Sequence, residues 1–290
     1  MSSTGIIKSV NWHITSACNY QCKFCFTKNL RSDEVDRNRT EKILRILFDI
    51  GIEKINFVGG EPLIHPHIDS LTRMAKEIGY VVSLTTNGSL LTVKKLAQLR
   101  NHVDWIGLSV ESCSDKIESR LGRGNGGHVT HCIQISDRIR EAGIHLKINS
   151  TITRLNYSEN LRPLIRTLNP ERWKNFQYLP IMGQNLDSED DLSITADQFQ
   201  KFIQMHETLT MSNGETPVFE TCNDMIGSYF MLNPSGNIIV NDYGGYSEIL
   251  FETAIKLGIE TIINPEKYLN RNAIYAWNSC KSQKKTSLDS

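Results

Sequence analysis

The sequence predicts an α/β protein built as a partial (β/α)6 barrel with a C-terminal cap. Six short β-rich runs alternate with amphipathic helical segments, polar motifs follow the ends of these runs, and the alternation stops after residue 182. Helical crossovers between successive strands give a parallel sheet. Six such units fit an open or partial barrel better than a closed barrel of eight strands.

The predicted strands follow one another along the first part of the chain and read IKSVNWHIT, KINFVG, YVVSLTTN, DWIGLSVES, HLKINSTIT and WKNFQYLPI. Segments with apolar residues at helical spacing lie between them, among them TEKILRILFDIG, HIDSLTRMAKEIG and VTHCIQISDRIREAG. In folds of this kind the chemistry collects at the carboxyl ends of the strands. Functional residues are therefore expected there.

The pattern changes beyond residue 182. GQNLDSEDD is typical of a loop, TADQFQKFIQMHETL of a helix, and YFMLNPSGNIIVND of a hairpin around Pro234 to Gly236. We therefore predict a core domain over 1–182 and a C-terminal extension over 183–290 that caps the active site.

The balance of charges argues against polymeric partners. The 290 residues carry 32 Lys and Arg against 32 Asp and Glu, so no overall field attracts nucleic acid or acidic membrane surfaces. Seven cysteines, without a signal peptide or an apolar run of membrane-spanning length, indicate a reducing cytoplasm. We expect a cytoplasmic monomer with neither a nucleic-acid polymer nor a membrane as partner.

Three cysteines stand close together in CNYQCKFC, at Cys18, Cys22 and Cys25. Structural zinc normally takes four protein ligands and disulfides pair evenly, so three thiolates indicate a metal centre with an open coordination position. Zinc with His13 as fourth ligand is the alternative, but strand alternation would point His13 away from the loop. The other cysteines are scattered and are interpreted as ordinary thiols: Cys113, Cys132, Cys222 and Cys280.

Polar motifs follow the next four predicted strands and read GGEP, TTNG, SVES and KINS. Since parallel strands end at the same edge of a sheet, these motifs predict one ligand site. The glycines of GGEP, Gly59 and Gly60, would let the backbone approach a ligand closely and leave strand-edge amides free. Glu61 would accept a hydrogen bond from an ammonium group.

The CxxxCxxC spacing, with an aromatic residue before the last cysteine, and GGEP together resemble the radical S-adenosylmethionine (SAM) superfamily. The resemblance implies a partial barrel of the radical SAM type and a [4Fe–4S] cluster on Cys18, Cys22 and Cys25. Its open iron would bind the amino and carboxyl groups of SAM. The implied SAM contacts are Phe24, Gly59, Gly60, Glu61, Thr86, Asn87, Ser109, Arg123 and Asn149.

Longer segments resemble one family, viperin and its prokaryotic relatives, from Val10 to Tyr229. These segments read CNYQCKFCF, KINFVGGEPLI, TTNGSLL, LGRGNG, KINSTITRLN and LNPERWKNFQYLPIMGQN. The resemblance implies conversion of a nucleoside triphosphate, typically CTP, into its 3′-deoxy-3′,4′-didehydro form, a chain terminator in antiviral defence. It also implies an external one-electron donor.

The same resemblance implies the residues that hold the substrate. A triphosphate carries about four negative charges, so a neutral protein must gather cations around it. Tyr229 matches a family tyrosine that serves as proton donor, and we predict Tyr229 and Lys147 as catalytic. The glycine-rich LGRGNGG is interpreted as a phosphate loop from its place in the family order. The implied substrate contacts are Asn11, Lys54, Arg123, Lys147, Arg172, Lys174 and Tyr229.

Three functions stay open at this point. The first is a viperin-like nucleotide dehydratase, with CTP or UTP preferred over GTP and the base selected by the cap after Tyr229. The second is another radical SAM enzyme that acts on GTP or on a peptide. The third is a non-catalytic protein that senses SAM or binds metal.

Overall fold

A computed structural model of the chain describes residues 5–30, 33–242 and 245–277. Ten strands form one sheet. Their bounds are β1 Ser9–His13, β2 Lys54–Val58, β3 Val81–Thr86, β4 Trp105–Ser109, β5 His145–Ile152, β6 Arg172–Gln177, β7 Val218–Glu220, β8 Met231–Leu232, β9 Ile238–Asp242 and β10 Gly245–Ile249.

The strand order across the sheet is β10-β9-β8-β1-β2-β3-β4-β5-β6-β7. Strands β1 to β7 pair in parallel in chain order, and β8 joins β1 in parallel. The last two strands are antiparallel. The sheet ends at β10 on one side and β7 on the other, so it is not closed. The prediction of six parallel strands in a partial barrel is confirmed.

Helices connect the strands and cover the outer face of the sheet. The predicted helical segments correspond to α1, α2, α5 and α8. The bounds are α1 Arg37–Asp49, α2 Ile68–Ile78, α3 Val93–Leu99, α4 Asp115–Arg120, α5 His128–Glu141, α6 Arg162–Leu168, α7 Glu189–Leu192, α8 Ala196–His206, α9 Cys222–Met225, α10 Phe251–Leu257, α11 Ile259–Ile262 and α12 Pro265–Asn270.

Helices α1 and α8 are among those that begin at residues whose side chains cap the first turn. Asp36 accepts a hydrogen bond from the Arg39 amide (2.7 Å) at the start of α1. Thr195 and Gln198 form a reciprocal capping box at the start of α8. Such caps satisfy amides that have no partner inside the helix, and each contributes about 1 kcal/mol.

Alternation along the strands separates a core from a polar interior. On β1, Val10 and Trp12 are buried in the main hydrophobic core, whereas Asn11 and His13 line the pocket inside the barrel. Successive side chains on a strand point to opposite faces, so one strand supplies both surfaces. Burial of a large apolar side chain stabilises the fold by about 1.5–3 kcal/mol. The helix-facing side therefore stabilises the barrel and leaves its interior free for polar residues.

The C-terminal part of the chain contributes strands to the same sheet. β7 pairs with β6 at one edge, and β8 pairs with β1 at the other. The predicted hairpin around Pro234 to Gly236 is confirmed by the antiparallel pairing of β8 and β9, with Gly236 at a φ of 79°.

The prediction of a loop over GQNLDSEDD was wrong. A 3-10 helix, Leu186–Ser188, runs directly into α7. The Asn185 side chain accepts from the Ile181 amide (2.7 Å) and donates to the Phe24 carbonyl (3.0 Å). The local bond to Ile181, the long-range bond to Phe24 and the buried Leu192 fix helical turns that the polar composition does not predict.

No helix in the described parts of the chain combines the length and the apolarity that crossing a membrane requires.

Candidate active site

One pocket inside the barrel gathers nearly all the predicted site residues, Glu61 being the exception. The strands bring them together because alternate positions on β1 to β6 face the interior. The predicted residues that line the pocket are Asn11, Cys18, Cys22, Phe24, Cys25, Lys54, Gly59, Gly60, Thr86, Asn87, Ser109, Arg123, Lys147, Asn149, Arg172, Lys174 and Tyr229.

The cysteine loop after β1 packs directly on the glycines that follow β2. A Cβ atom on Gly59 would lie 2.5 Å from the Thr15 carbonyl oxygen, and one on Gly60 would lie 2.2 Å from that of Ala17. The Gly60 amide donates to Thr15 (2.8 Å) and the Glu61 amide to Ala17 (2.8 Å). The expectation that these amides are free was therefore wrong. Glycine is needed because the loop leaves no room for a side chain.

The glycine-rich segment after β4 supports the other side of the cysteine loop. The Gln21 amide donates to the Gly122 carbonyl (3.2 Å) and the Lys23 amide to the Leu121 carbonyl (2.9 Å). Gly122 has a φ of 87°, and a Cβ there would lie 2.1 Å from the Gln21 carbonyl oxygen. The interpretation of LGRGNGG as a phosphate loop was wrong for these residues, whose backbone holds the loop that carries the cysteines.

Glu61 is fully buried and does not line the pocket. Its carboxylate accepts from the Thr86 hydroxyl (2.7 Å), the Asn87 amide (2.8 Å) and the Leu63 amide (3.1 Å). These three donors occupy the carboxylate, so Glu61 is not directed at an ammonium group as we expected. It instead joins the β2 and β3 turns. The Asn87 side chain extends this link by donating to Asn19 in the cysteine loop (2.9 Å).

Arg123 connects the cysteine loop to a pair of buried carboxylates. Its Nε lies 2.7 Å from Glu111 and 3.4 Å from Glu118. One of its terminal nitrogens donates to the Ser109 carbonyl (2.7 Å), and the other lies 3.4 Å from Cys22 Sγ. Burial raises the pKa of both carboxyl groups, against the opposing effect of the guanidinium. Glu111 lies in the SVES motif but was not predicted as a site residue.

Within the described parts of the chain, seven cations line the pocket, and besides Lys28 and Arg123 they form a set of five, with four in the first halves of β2, β5 and β6: Lys54, Lys147, Arg172, Lys174 and Arg271. Burial, helped by the nearby Arg172, lowers the pKa of Lys147 to about 8. Burial lowers the pKa of Lys174 to about 7 despite the adjacent Glu220 carboxylate. Desolvation and mutual repulsion disfavour the charged lysines, and a bound polyanion would relieve both effects.

The Lys54 ammonium lies among aromatic rings at the start of β2. It contacts the Tyr275 hydroxyl, and it lies 4.4 Å from the centre of that ring and 5.2 Å from those of Trp105 and Trp277. Burial, together with the nearby Lys147, Arg172 and Lys174, lowers the pKa of Lys54 well below its ordinary value. Cation–π attraction offsets part of the lost hydration when the amine is protonated. The C-terminal residues that form the cage lie far from Lys54 in sequence, and no local pattern indicated the contact.

Tyr229 lies at the centre of a cluster of polar side chains, of which the sequence predicted only Tyr229 and Lys174 as site residues. Its hydroxyl donates to Glu220 and lies 3.3 Å from Lys174 Nζ, which also pairs with Glu220. Arg271 stacks on the ring, 3.7 Å from its centre. Glu220 and Arg271 were missed. The only sequence feature that pointed to Glu220 was its place at the end of a short strand-like segment. No sequence feature pointed to Arg271.

His13 differs from the expectation that it points away from the cysteine loop. It lines the same pocket, and both ring nitrogens are buried without a hydrogen-bond partner among the described residues. Burial lowers its pKa to about 4, so the ring is neutral. Within the described ranges, no three His, Cys, Asp or Glu side chains are grouped to hold a single metal ion. Cys113, Cys132 and Cys222 are free thiols, and Cys280 lies outside the described residues.

Comparison with known proteins decides the family. Residues 12–168 match the Radical SAM superfamily. The S-adenosylmethionine-dependent nucleotide dehydratase of Thermoplasmatales archaeon (strain ISO4-H5) is 37% identical over 272 residues, which cover 93% of this chain and 96% of that protein. The chain belongs to the radical SAM nucleotide dehydratases.

Further comparisons agree with this membership. The S-adenosylmethionine-dependent nucleotide dehydratase of Flammeovirga pacifica is 34% identical, with 96% of this chain and 98% of that protein covered. The solved structure of anSMEcpe with bound AdoMet and a Cp18Cys peptide has the same fold, with a TM-score of 0.67 at 14% identity. It covers 96% of this chain and 86% of that chain.

A radical SAM protein uses a [4Fe–4S] cluster and SAM, and the residues present fit both. Three unpaired cysteines lie on one wall of the pocket, each able to ligate a different iron. Asn149 Oδ1 is buried without a hydrogen-bond partner in the part of the chain that the structure describes. Asn149 lines the pocket, where it offers a hydrogen bond to a polar cosubstrate, whereas the Glu111 carboxylate is already paired with Arg123.

Proposed function

We propose that this chain converts a nucleoside triphosphate, CTP or UTP by preference, into its 3′-deoxy-3′,4′-didehydro analogue. The observation that carries the proposal is the set of five cations in the pocket. Among the described residues, only Lys174 of these five forms an ion pair. Buried cations without counterions are costly, so they indicate a site that is completed by an anion. A triphosphate supplies the required charge.

In the proposed reaction the bound cofactors supply a 5′-deoxyadenosyl radical, formed when one electron cleaves SAM. The cations hold the triphosphate, so the ribose lies between them and the cysteine loop. Tyr229 gives its proton to the 3′ hydroxyl, which leaves as water after the 4′ hydrogen has been abstracted. Lys174 lies against the Tyr229 hydroxyl and assists this proton transfer. Lys147 is the other residue that we predict to be catalytic. An external donor supplies one further electron.

The experiment is incubation of the reconstituted enzyme with SAM, a reductant and each nucleoside triphosphate separately. We expect one nucleotide, CTP or UTP, to accelerate release of 5′-deoxyadenosine and to yield a product lighter by one water. Deuterium at the 4′ position of that nucleotide should appear in 5′-deoxyadenosine. If no nucleoside triphosphate accelerates release, the proposal is wrong.

The two alternative functions have less support. A peptide-modifying enzyme with auxiliary clusters needs further groups of cysteines, and the described cysteines outside the loop are not grouped with other ligands. A non-catalytic sensor of SAM has no use for a cluster of buried cations. We further propose a cytoplasmic monomer, because free thiols suit a reducing compartment and the pocket is lined by residues of one chain. Its product would act as a chain terminator in antiviral defence.

A further inference from the structure

The β9–β10 hairpin contributes two polar side chains to the wall of the pocket. Asn241 on β9 and Tyr246 on β10 are direct cross-strand partners. Side chains of directly paired residues lie on the same face of an antiparallel ribbon, about 4.5–5.5 Å apart at Cβ. Both residues line the pocket. They therefore present an amide and a phenol side by side to whatever occupies it.

The Tyr246 hydroxyl has no hydrogen-bond partner among the described residues. Its oxygen is buried, and none of the residues described in the structure donates to it or accepts from it. Burial raises its pKa, so it remains a protonated donor. An unsatisfied buried hydroxyl costs free energy, and proteins normally provide it with a protein, water or ligand partner. This hydroxyl lacks a structural role in the fold and is available to a ligand.

Asn241 is held in place by its backbone. Its carbonyl accepts from the Gly227 amide (3.0 Å), and the residue is 8% exposed. The side-chain amide offers one acceptor oxygen and one donor group. Met225 and Met231 also line the pocket, where their flexible apolar side chains can cover the faces of a planar ring. The wall thus combines apolar faces with a polar edge.

We propose that Asn241 and Tyr246 recognise the base of the nucleotide by its hydrogen-bonding edge, and that this base is a pyrimidine. The inference rests on the proposed function. The cations account for the triphosphate and the three cysteines for the cluster, and the wall formed by the β9–β10 hairpin adds a buried hydroxyl and an amide that neither of them uses. Tyr246 lies within electrostatic reach of Cys25, so a base held there would be close to the cysteine loop. The hydrogen-bonding edge of cytosine or uracil carries three polar positions, which the amide nitrogen, the amide oxygen and the phenol can meet. Guanine also offers three, so the choice of a pyrimidine rests on the proposed function. Because the Asn241 amide both donates and accepts, it fits cytosine and uracil.

The test measures binding of CTP, UTP, GTP and the base-free analogue ribose 5-triphosphate to the reconstituted protein by calorimetry. Removing one partner of a ligand hydrogen bond weakens binding by about tenfold. We expect Tyr246→Phe and Asn241→Ala each to weaken the preferred pyrimidine nucleotide by about that factor. Affinity for ribose 5-triphosphate and for SAM should stay at the wild-type value. Tyr246→Phe should also leave the melting temperature unchanged or higher, since it removes an unsatisfied hydroxyl.

Ser247→Ala is the matched control, because Ser247 is an exposed neighbour on β10 whose side chain points to the opposite face. The inference is overturned if Tyr246→Phe binds the pyrimidine nucleotide as wild type does, or weakens ribose 5-triphosphate equally. It is also overturned if the loss is confined to GTP or to SAM. Failure of the proposed function gives a different result, in which the wild-type protein binds no triphosphate at all.

Discussion

The Tyr229 hydroxyl donates a hydrogen bond to Glu220 Oε2 over 2.5 Å, and Glu220 itself is fully buried. Burial and the adjacent carboxylate raise the pKa of Tyr229 well above its ordinary value. The phenol therefore keeps its proton until a stronger acceptor develops beside it. A departing hydroxide is such an acceptor, which makes Tyr229 a suitable proton donor for loss of the 3′ hydroxyl.

Tyr229→Phe should still form the substrate radical but should yield much less of the didehydro product. The ring and both binding sites are retained, so deuterium from the nucleotide 4′ position should still reach 5′-deoxyadenosine. The yield of didehydro product relative to 5′-deoxyadenosine should fall by roughly 100-fold, because general acid catalysis is lost. Mass spectrometry of both products measures the ratio.

Tyr157→Phe is the control for that experiment, since Tyr157 is partly buried on the outer side of the barrel and does not line the pocket. Its product ratio should equal that of the wild type. A wild-type ratio in Tyr229→Phe would show that the tyrosine only packs, and that a lysine or an ordered water supplies the proton.

Cys22→Ala should abolish the cluster and all cleavage of SAM. The cysteine lies on a loop whose backbone is held by Gly122 and Leu121, so circular dichroism and the melting temperature should change little. Cys113→Ala is the control, because this exposed thiol contacts only Glu159 (3.5 Å) among the described side chains. It should keep the full iron content. A cluster in Cys22→Ala that still cleaves SAM would contradict the assignment of the three ligands.

Asn149→Ala should weaken binding of SAM more than binding of nucleotide. Asn149 Oδ1 is buried without a protein partner among the described residues, and Asn149 lines the pocket from the middle of β5. Losing one hydrogen bond to a polar ligand reduces affinity by about tenfold. Equilibrium dialysis with labelled SAM, run beside nucleotide calorimetry, gives both values. Unchanged SAM affinity would exclude Asn149 from the SAM site.

Nucleotide binding should take up protons and weaken as the pH rises from 7 to 9. The pKa values of Lys174 and Lys147 in the free protein are about 7 and about 8, and a bound polyanion raises both. Below pH 7 both lysines are already charged, so affinity is greatest there. Each lysine that must gain a proton lowers affinity by up to about tenfold per pH unit. Calorimetry in buffers of different ionisation enthalpy measures the uptake, and Lys147→Met should reduce it.

Arg123→Met should strongly destabilise the fold. Arg123 is 4% exposed, and its loss leaves Glu111 and Glu118 buried without their common cation. Removing one partner of a buried ion pair costs about 3–5 kcal/mol in the free energy of unfolding. Urea denaturation at pH 7 should show this loss. Adding Glu118→Gln to the same variant should recover part of it, and a double variant as unstable as the single one would refute the electrostatic explanation.

The features of this protein that depend on residue spacing and strand period follow from the amino-acid sequence alone. The distances between Cys18, Cys22 and Cys25 identified the cluster loop. Alternation on the strands placed Lys147 with Asn149, and Arg172 with Lys174, on the inner face of the barrel, where the structure has them. These properties are local, because the geometry of a strand or loop fixes side-chain direction over a few residues.

Which groups face each other across the barrel depends on how the whole chain packs. Glu61 belongs to a motif at a strand end, yet its carboxylate bonds with Thr86 and the Asn87 amide and not with the pocket. Glu220 and Arg271 reach Tyr229 from β7 and from the end of α12, and the cage around Lys54 includes Trp277. Glu220 lies only nine residues before Tyr229, but Arg271 and Trp277 meet their partners only when the sheet curves, and no local pattern records those contacts. Residue spacing therefore predicts which side chains each strand presents to the pocket. Tertiary packing determines which other side chains they contact.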